Sequence, residues 1–180
     1  MTIETFLAWE RLQELRHEFD GARVTAMTGG TLRHSIIATN LVEALGRRLT
    51  PPCRALRGDV KILAANSVRY PDAVVTCSPF DDRGDIVPNP VVVFEVLSPS
   101  TASLDRLVKN AEYRATPSIQ RYVMLEQGRM GATVFARDGG QWMSLILLGD
   151  TTLSMPEIGV EVPLSEVYRG VDFPQAETDD

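Results

Sequence analysis

The stretch NPVVVFEVLSPST, residues 89–101, constrains this chain more than any other. Six of the seven residues from Val91 to Leu97 are apolar, which is the pattern of a buried strand. The seventh is Glu95. An ionised carboxylate taken out of water is costly unless a cation, a metal or a proton compensates it. The rest of the sequence has to supply that compensation.

The order of elements gives the frame. Residues 3–16 have helical periodicity, and Asp20-Gly21 marks a hairpin between HEF and ARVTAM. Thr28-Gly29-Gly30-Thr31 breaks the chain before a helix over about 32–49, which Pro51-Pro52 stops. The Gly-Gly-Thr run lacks the Lys-Ser/Thr ending of a phosphate loop, so it is a helix cap. Residues 54–64, 68–77 and 91–97 read as strands, with a polar turn SPFDDRGDIVPNP before the last. A helix over 101–115 ends before Thr116-Pro117. Its core face would be Leu104, Val108, Ala111 and Ala115. Strand RYVMLE (121–126) follows, then two strands, 131–137 and 141–148, joined through Asp138-Gly139-Gly140. The expected fold is α/β or α+β on a mixed sheet. One domain spans 1–180: an N-terminal helix and hairpin (1–30), a core (31–126), C-terminal strands (127–173) and a frayed tail (174–180).

Taking 68–77 and 91–97 as an antiparallel pair, opposed residue numbers sum to a constant. Asp72 and Glu95 share the sum set by a turn centred near residues 83 and 84, so the two carboxylates lie across from one another. Carboxylates on adjacent strands are ligands that a hard cation such as Mg²⁺ uses, often one or two of them with several retained waters. The plainer alternatives are that Asp72 accepts local backbone hydrogen bonds after Pro71, and that Glu95 is salt-bridged to an arginine. On the helix beyond, Asp105, Lys109 and Tyr113 form an i, i+4, i+8 ridge. Lysine occurs at two positions among 18 basic residues, so Lys109 is a marked choice: a compact point charge where the chain otherwise uses the arginine fork. An Asp105–Lys109 helix pair is the ordinary alternative.

Composition limits the partners. The 44% apolar and 23% charged residues are those of a globular protein, and no apolar run reaches the roughly 18 residues of a membrane span. Cys53 and Cys77 suggest no metal cluster and no disulfide framework, so a reduced, cytoplasmic protein is expected. The net charge of −6 is uneven. Arg47, Arg48, Arg54, Arg57, Lys61 and Arg69 face only Asp59 within 44–70, and the cluster can be read as a phosphate-backbone contact or as a solvated surface. Oligomeric state is left open, a homodimer included.

Pro71-Asp72, FEVLSPST at 94–101, Asp105, Lys109, Tyr113 and RYVMLE together resemble the Uma-type family of restriction endonucleases, within the PD-(D/E)XK nuclease superfamily. HEFDGARV (17–24), Arg33-His34 and IGVEVPLSEVY (158–168) are similar to its outer segments. The resemblance implies a restriction-endonuclease-like αβββαβ core, Mg²⁺ or Mn²⁺, and cleavage of nucleic acid, DNA before RNA. It makes Asp72 and Glu95 the metal ligands, aided by the Val96 carbonyl, and Lys109 the group that orients the attacking water. The superfamily's usual lysine position is Leu97 here, and Lys109 on the next helix takes its place. His34, Glu18, Tyr113 and Asp105 are supporting candidates. Two rival expectations stand beside this one: a non-catalytic nucleic-acid-binding or interaction module on the same scaffold, and a structural protein with a salt-bridged Glu95.

Overall fold

The computed structural model describes residues 1–27, 29–98 and 105–173, with the side chains of 105 and 106 outside that description. The expected Leu104 packing position and the Asp105 side chain therefore lie outside the described residues. Helix α1 (Ile3–Glu10) starts at Thr2, whose side chain accepts the Thr5 N–H. It ends earlier than the periodicity predicts, because Leu12 and Leu15 find nothing to pack on and stand exposed. Strands β1 (His17–Phe19) and β2 (Val24–Ala26) form the expected hairpin. Helix α2 (Leu32–Gly46) is capped by Thr31, and it buries Ile37, Leu41, Ala44 and Leu45. Leu32 and Ile36 lie on its outer side.

The two long strands expected at 54–64 and 68–77 are each broken in the middle. Strand β3 (Arg54–Arg57) gives way at the Gly58-Asp59 turn, and β4 (Ile62–Ala64) resumes on a different sheet. Strand β5 (Ser67–Arg69) ends before Pro71, which has no N–H for a ladder, and β6 (Ala73–Thr76) restarts beyond it. The ribbon thus crosses between sheets. One sheet has the order β2-β1-β5-β4 and is antiparallel.

Strand β7 (Pro90–Leu97) carries Glu95. A π-turn (Asp105–Lys109) runs into α3 (Asn110–Ala115), and β8 (Arg121–Glu126) follows. Strands β9 (Gly131–Asp138) and β10 (Gln141–Leu148) form a hairpin, with Gly139 and Gly140 both at positive φ as a two-residue turn of that hand requires. The main sheet has the order β10-β9-β8-β7-β6-β3, and only β7 and β8 run parallel. Helix α2, strands β3, β6 and β7, helix α3 and strand β8 reproduce the αβββαβ order. A closing hairpin of β11 (Thr152–Met155) and β12 (Val160–Pro163) leads to the short α4 (Leu164–Val167).

The main sheet separates two cores. On one face α2, α4 and the closing hairpin cover Ala73, Val75, Val92, Phe94 and Val96. On the other, Tyr113 of α3 packs with Val74, Val93, Leu97, Tyr122 and Met124. Phe6 of α1 stacks on Phe19 beside Val68 under the small sheet. Among the described residues no helix is long and apolar enough to cross a membrane.

Two expectations need correction. Cys53 and Cys77 are disulfide-bonded. The β3–β6 register pairs Arg54 with Thr76, and one further step opposes the two cysteines, a placement that their separation of 24 residues conceals. The face expected for the 101–115 helix is also turned. Val108, Ala111 and Ala115 are exposed, and Lys109, Asn110 and Tyr113 are the buried residues.

Candidate active site

The β6–β7 register pairs Ala73 with Phe94, Val74 with Val93 and Val75 with Val92, then slips by one beyond Val75. Ala73 and Phe94 have the same sum as Asp72 and Glu95. Continued by one step, the register sets Asp72, in the bend after Pro71, against Glu95. Side chains alternate across a strand, so Glu95 points to the side of Val93 and Leu97, which is the α3 side.

Glu95 is 5% exposed, and its compensation comes from α3. The Lys109 Nζ lies 2.9 Å from Glu95 Oε1, and the Tyr113 hydroxyl donates to that same oxygen at 2.9 Å. Among the described ion pairs the partner is a lysine rather than an arginine. Lys109 ends the π-turn, and it is this local widening that turns it inward with Tyr113. Burial, followed by the Glu95 charge, pushes the Tyr113 hydroxyl well above its ordinary pKa, so it remains a donor. Asp72 is placed by backbone and by α2: its Oδ2 accepts the Val96 N–H at 2.7 Å and lies 3.1 Å from His34 Nε2. At Val96 it is the amide, not the carbonyl, that meets Asp72.

Glu18 of β1 brings a third carboxylate to the site. Its Oε1 lies 3.3 Å from Lys109 Nζ and accepts the Tyr70 N–H at 3.1 Å. Its Oε2 meets Arg69 at 3.1 Å. Arg69 is almost fully buried and grips Glu112 of α3 with two 2.7 Å bonds, while the Ser67 hydroxyl donates to Glu112 at 2.7 Å. Arg69 and Glu112 are the residues the sequence reading missed. Arg69 in SVRY is a charge set in a short apolar run, the same signal that made Glu95 conspicuous.

The basic cluster is not a free patch. Arg47 and Arg48 both engage Glu166 of α4, Arg47 also lies near Glu43, and Arg57 donates to the Thr39 hydroxyl. Arg54 stands exposed on β3, on the sheet edge. Lys61 is buried against Glu10 and Asp85.

Among the described residues, no group of three or more His, Cys, Asp or Glu side chains comes together to hold a metal ion. A full protein cage of the kind used for calcium or structural zinc is therefore absent from them. Two hard carboxylates on neighbouring strands fit a different habit, that of a small divalent cation that keeps most of its waters.

The domain is a mixed α/β protein built on a six-stranded mixed sheet. Its fold matches the crystal structure of "a putative nuclease belonging to DUF820" from Anabaena variabilis, with a TM-score of 0.74 over 93% of this chain and 97% of that one, at 17% identity. The chain belongs to the family described as "Uma2: Putative restriction endonuclease", which matches residues 3–165. Two Synechocystis proteins, both named as uncharacterized, are similar along most of their length. The first, slr1290, is 32% identical over 96% of this chain and 94% of its own, and the second, sll1609, is 26% identical over 83% and 89%.

Proposed function

We propose that this chain is a divalent-metal-dependent endonuclease that hydrolyses phosphodiester bonds in nucleic acid, with DNA as the substrate. The observation that supports the reading is the Lys109 ammonium against buried Glu95, with Asp72 bonded to the N–H of the neighbouring Val96. Charge is in keeping with it: among the described ion pairs, the carboxylates Glu95, Glu18 and Glu112 are held by Lys109 and Arg69, and Asp72 by His34.

Asp72 and Glu95 would hold the ion, with the Val96 carbonyl as a further oxygen. The metal supplies a bound water of lowered pKa and a Lewis acid for the phosphoryl oxygens. Lys109 neutralises the phosphate or orients the attacking water. Tyr113 fixes the Glu95 oxygen, and His34 fixes Asp72. Arg54 and Arg57 are the members of the basic cluster not tied to a carboxylate among the described ion pairs, and they would contact the nucleic-acid backbone.

The competing reading is an inactive interaction module on the same scaffold. It draws on Leu97, a buried core residue at the superfamily's usual lysine position. A cleavage assay with Mg²⁺ or Mn²⁺ on single-stranded and duplex DNA and on RNA separates the two. Wild type should cleave, and Glu95→Gln and Asp72→Asn should each lose at least the roughly 10–100-fold that removal of a group behind a metal ligand costs. Undiminished activity in either variant, or none in the wild type, removes the nuclease reading.

A further inference from the structure

Among the described residues Lys109 meets two carboxylates, and they differ in how they are held. Its Nζ is 2.9 Å from Glu95 Oε1 and 3.3 Å from Glu18 Oε1. Glu95 is the residue a divalent cation would claim. Glu18 is fixed from outside the site: the Tyr70 N–H holds one oxygen, Arg69 holds the other, and Arg69 is itself anchored by its two bonds to Glu112. Glu18 cannot follow a departing ammonium, nor does it need Lys109 to stay in place. Lys109 lies at the junction of the π-turn with α3, and such turns recur at functional sites. Moving its Nζ from one oxygen to the other needs only a small rotation of a flexible stem.

A cation entering between Asp72 and Glu95 meets a positive charge already resting on one of its ligands. Like charges at that separation repel strongly in a site shielded from water. Expelling Lys109 into solvent would remove the very group the reaction needs. We propose that Glu18 is the alternative counter-ion of Lys109: when a divalent cation takes Glu95, the ammonium shifts to Glu18 and is retained beside the reacting phosphate. Glu18 is then a positioning residue that acts through Lys109, and the N-terminal hairpin is part of the site. The inference rests on the metal-dependent reading above.

Calorimetric titration with MnCl₂ tests it without any substrate. Lys109→Met removes the competing cation and should tighten Mn²⁺ binding by about tenfold. Glu18→Gln removes that alternative counter-ion and should weaken binding several-fold. In the Lys109→Met background, Glu18→Gln should have almost no effect, because its influence passes through the lysine. If Glu18→Gln weakens binding equally in both backgrounds, Glu18 acts on the metal directly and the inference fails while the metal site stands. Should Lys109→Met not fold, the wild type still decides the matter. This chain has two lysines, so selective ¹³C-lysine labelling gives two side-chain signals. Mg²⁺ should shift the Lys109 signal and leave that of Lys61 unmoved. Metal binding with no change at Lys109 overturns the proposal, and no Mn²⁺ binding in any variant overturns both it and the reading beneath it.

Discussion

Glu95 accepts hydrogen bonds from a lysine and a tyrosine, and so does Glu10, 85 positions earlier in the chain. Lys61 Nζ lies 2.7 Å from Glu10 Oε2, and the Tyr70 hydroxyl lies 2.6 Å from Glu10 Oε1. Lys61 also meets Asp85 at 2.9 Å, so it ties α1 to the loop before β7. Burial pushes the Glu10 pKa up, but bonds from Lys61, Tyr70 and the His17 N–H outweigh it and hold the group below its ordinary 4.5. Lys61 holds Asp85 below its ordinary 3.8. Both folded-state pKa values are lowered, so the stabilisation is complete above about pH 4.5 and is lost as pH falls through the lowered values. Lys61→Met strands a buried carboxylate and should cost about 3–5 kcal/mol near neutrality. Measured as Tm, the gap between wild type and variant should narrow below about pH 4.5, and a gap that stays constant down to pH 3 contradicts the assignment. Tyr113→Phe tests the other triad. Losing one donor to Glu95 should lower stability by about 1–3 kcal/mol in thermal or denaturant unfolding.

Helix α3 shows why charge was easier to read than orientation. From sequence, Val108, Ala111 and Ala115 make an apolar stripe, and the polar ridge of Lys109 and Tyr113 borders it. A π-turn spends more residues on a turn than an α-helix does, and so rotates everything after it relative to the 3.6 period. The ridge became the inner face because it meets Glu95 of the main sheet and Glu18 of the small one, an environment that periodicity does not encode. Ala111 and Ala115 should therefore accept charge. Ala111→Glu and Ala115→Lys are expected to change unfolding free energy by no more than about 0.5 kcal/mol, and a loss of several times that would restore the apolar stripe as core. The strand pairing, by contrast, was legible. A symmetric count across the turn gives the register that Ala73–Phe94, Val74–Val93 and Val75–Val92 adopt, and the ladder slips only beyond Val75. The division of the ribbon between two sheets was announced by Gly58 and Pro71, whose breaking power is local. Arg69 could not be assigned partners, because Glu18 and Glu112 lie 51 and 43 positions away and no local pattern joins them.

Across the whole molecule, the covalent link between Cys53 and Cys77 ties the edge strand β3 to its neighbour β6, the strand that Asp72 precedes. A bridge closing 24 residues restricts the unfolded chain by about 3 kcal/mol on the loop-closure estimate. Reduction, or Cys53→Ser with Cys77→Ser, should lower the midpoint of denaturant unfolding and raise its slope, because the freed unfolded chain is less compact. An unchanged midpoint would show that the sheet alone sets the stability of that edge. The opposite edge, β10, is instead a long apolar strand: it is eight residues long, and Met143, Leu145, Ile146 and Leu148 are exposed along it. The two lysines close the account, because their side chains are 4% and 8% exposed. A chain of 180 residues thus presents almost no lysine side chain to an acylating reagent while it stays folded. Each acyl group it gains at lysine records an opening event, at the α1–loop junction for one residue and at the Glu95–Glu18 cluster for the other. The mass spectrum of a timed acylation would therefore serve as a clock for two separate breathing motions, with no label introduced beforehand.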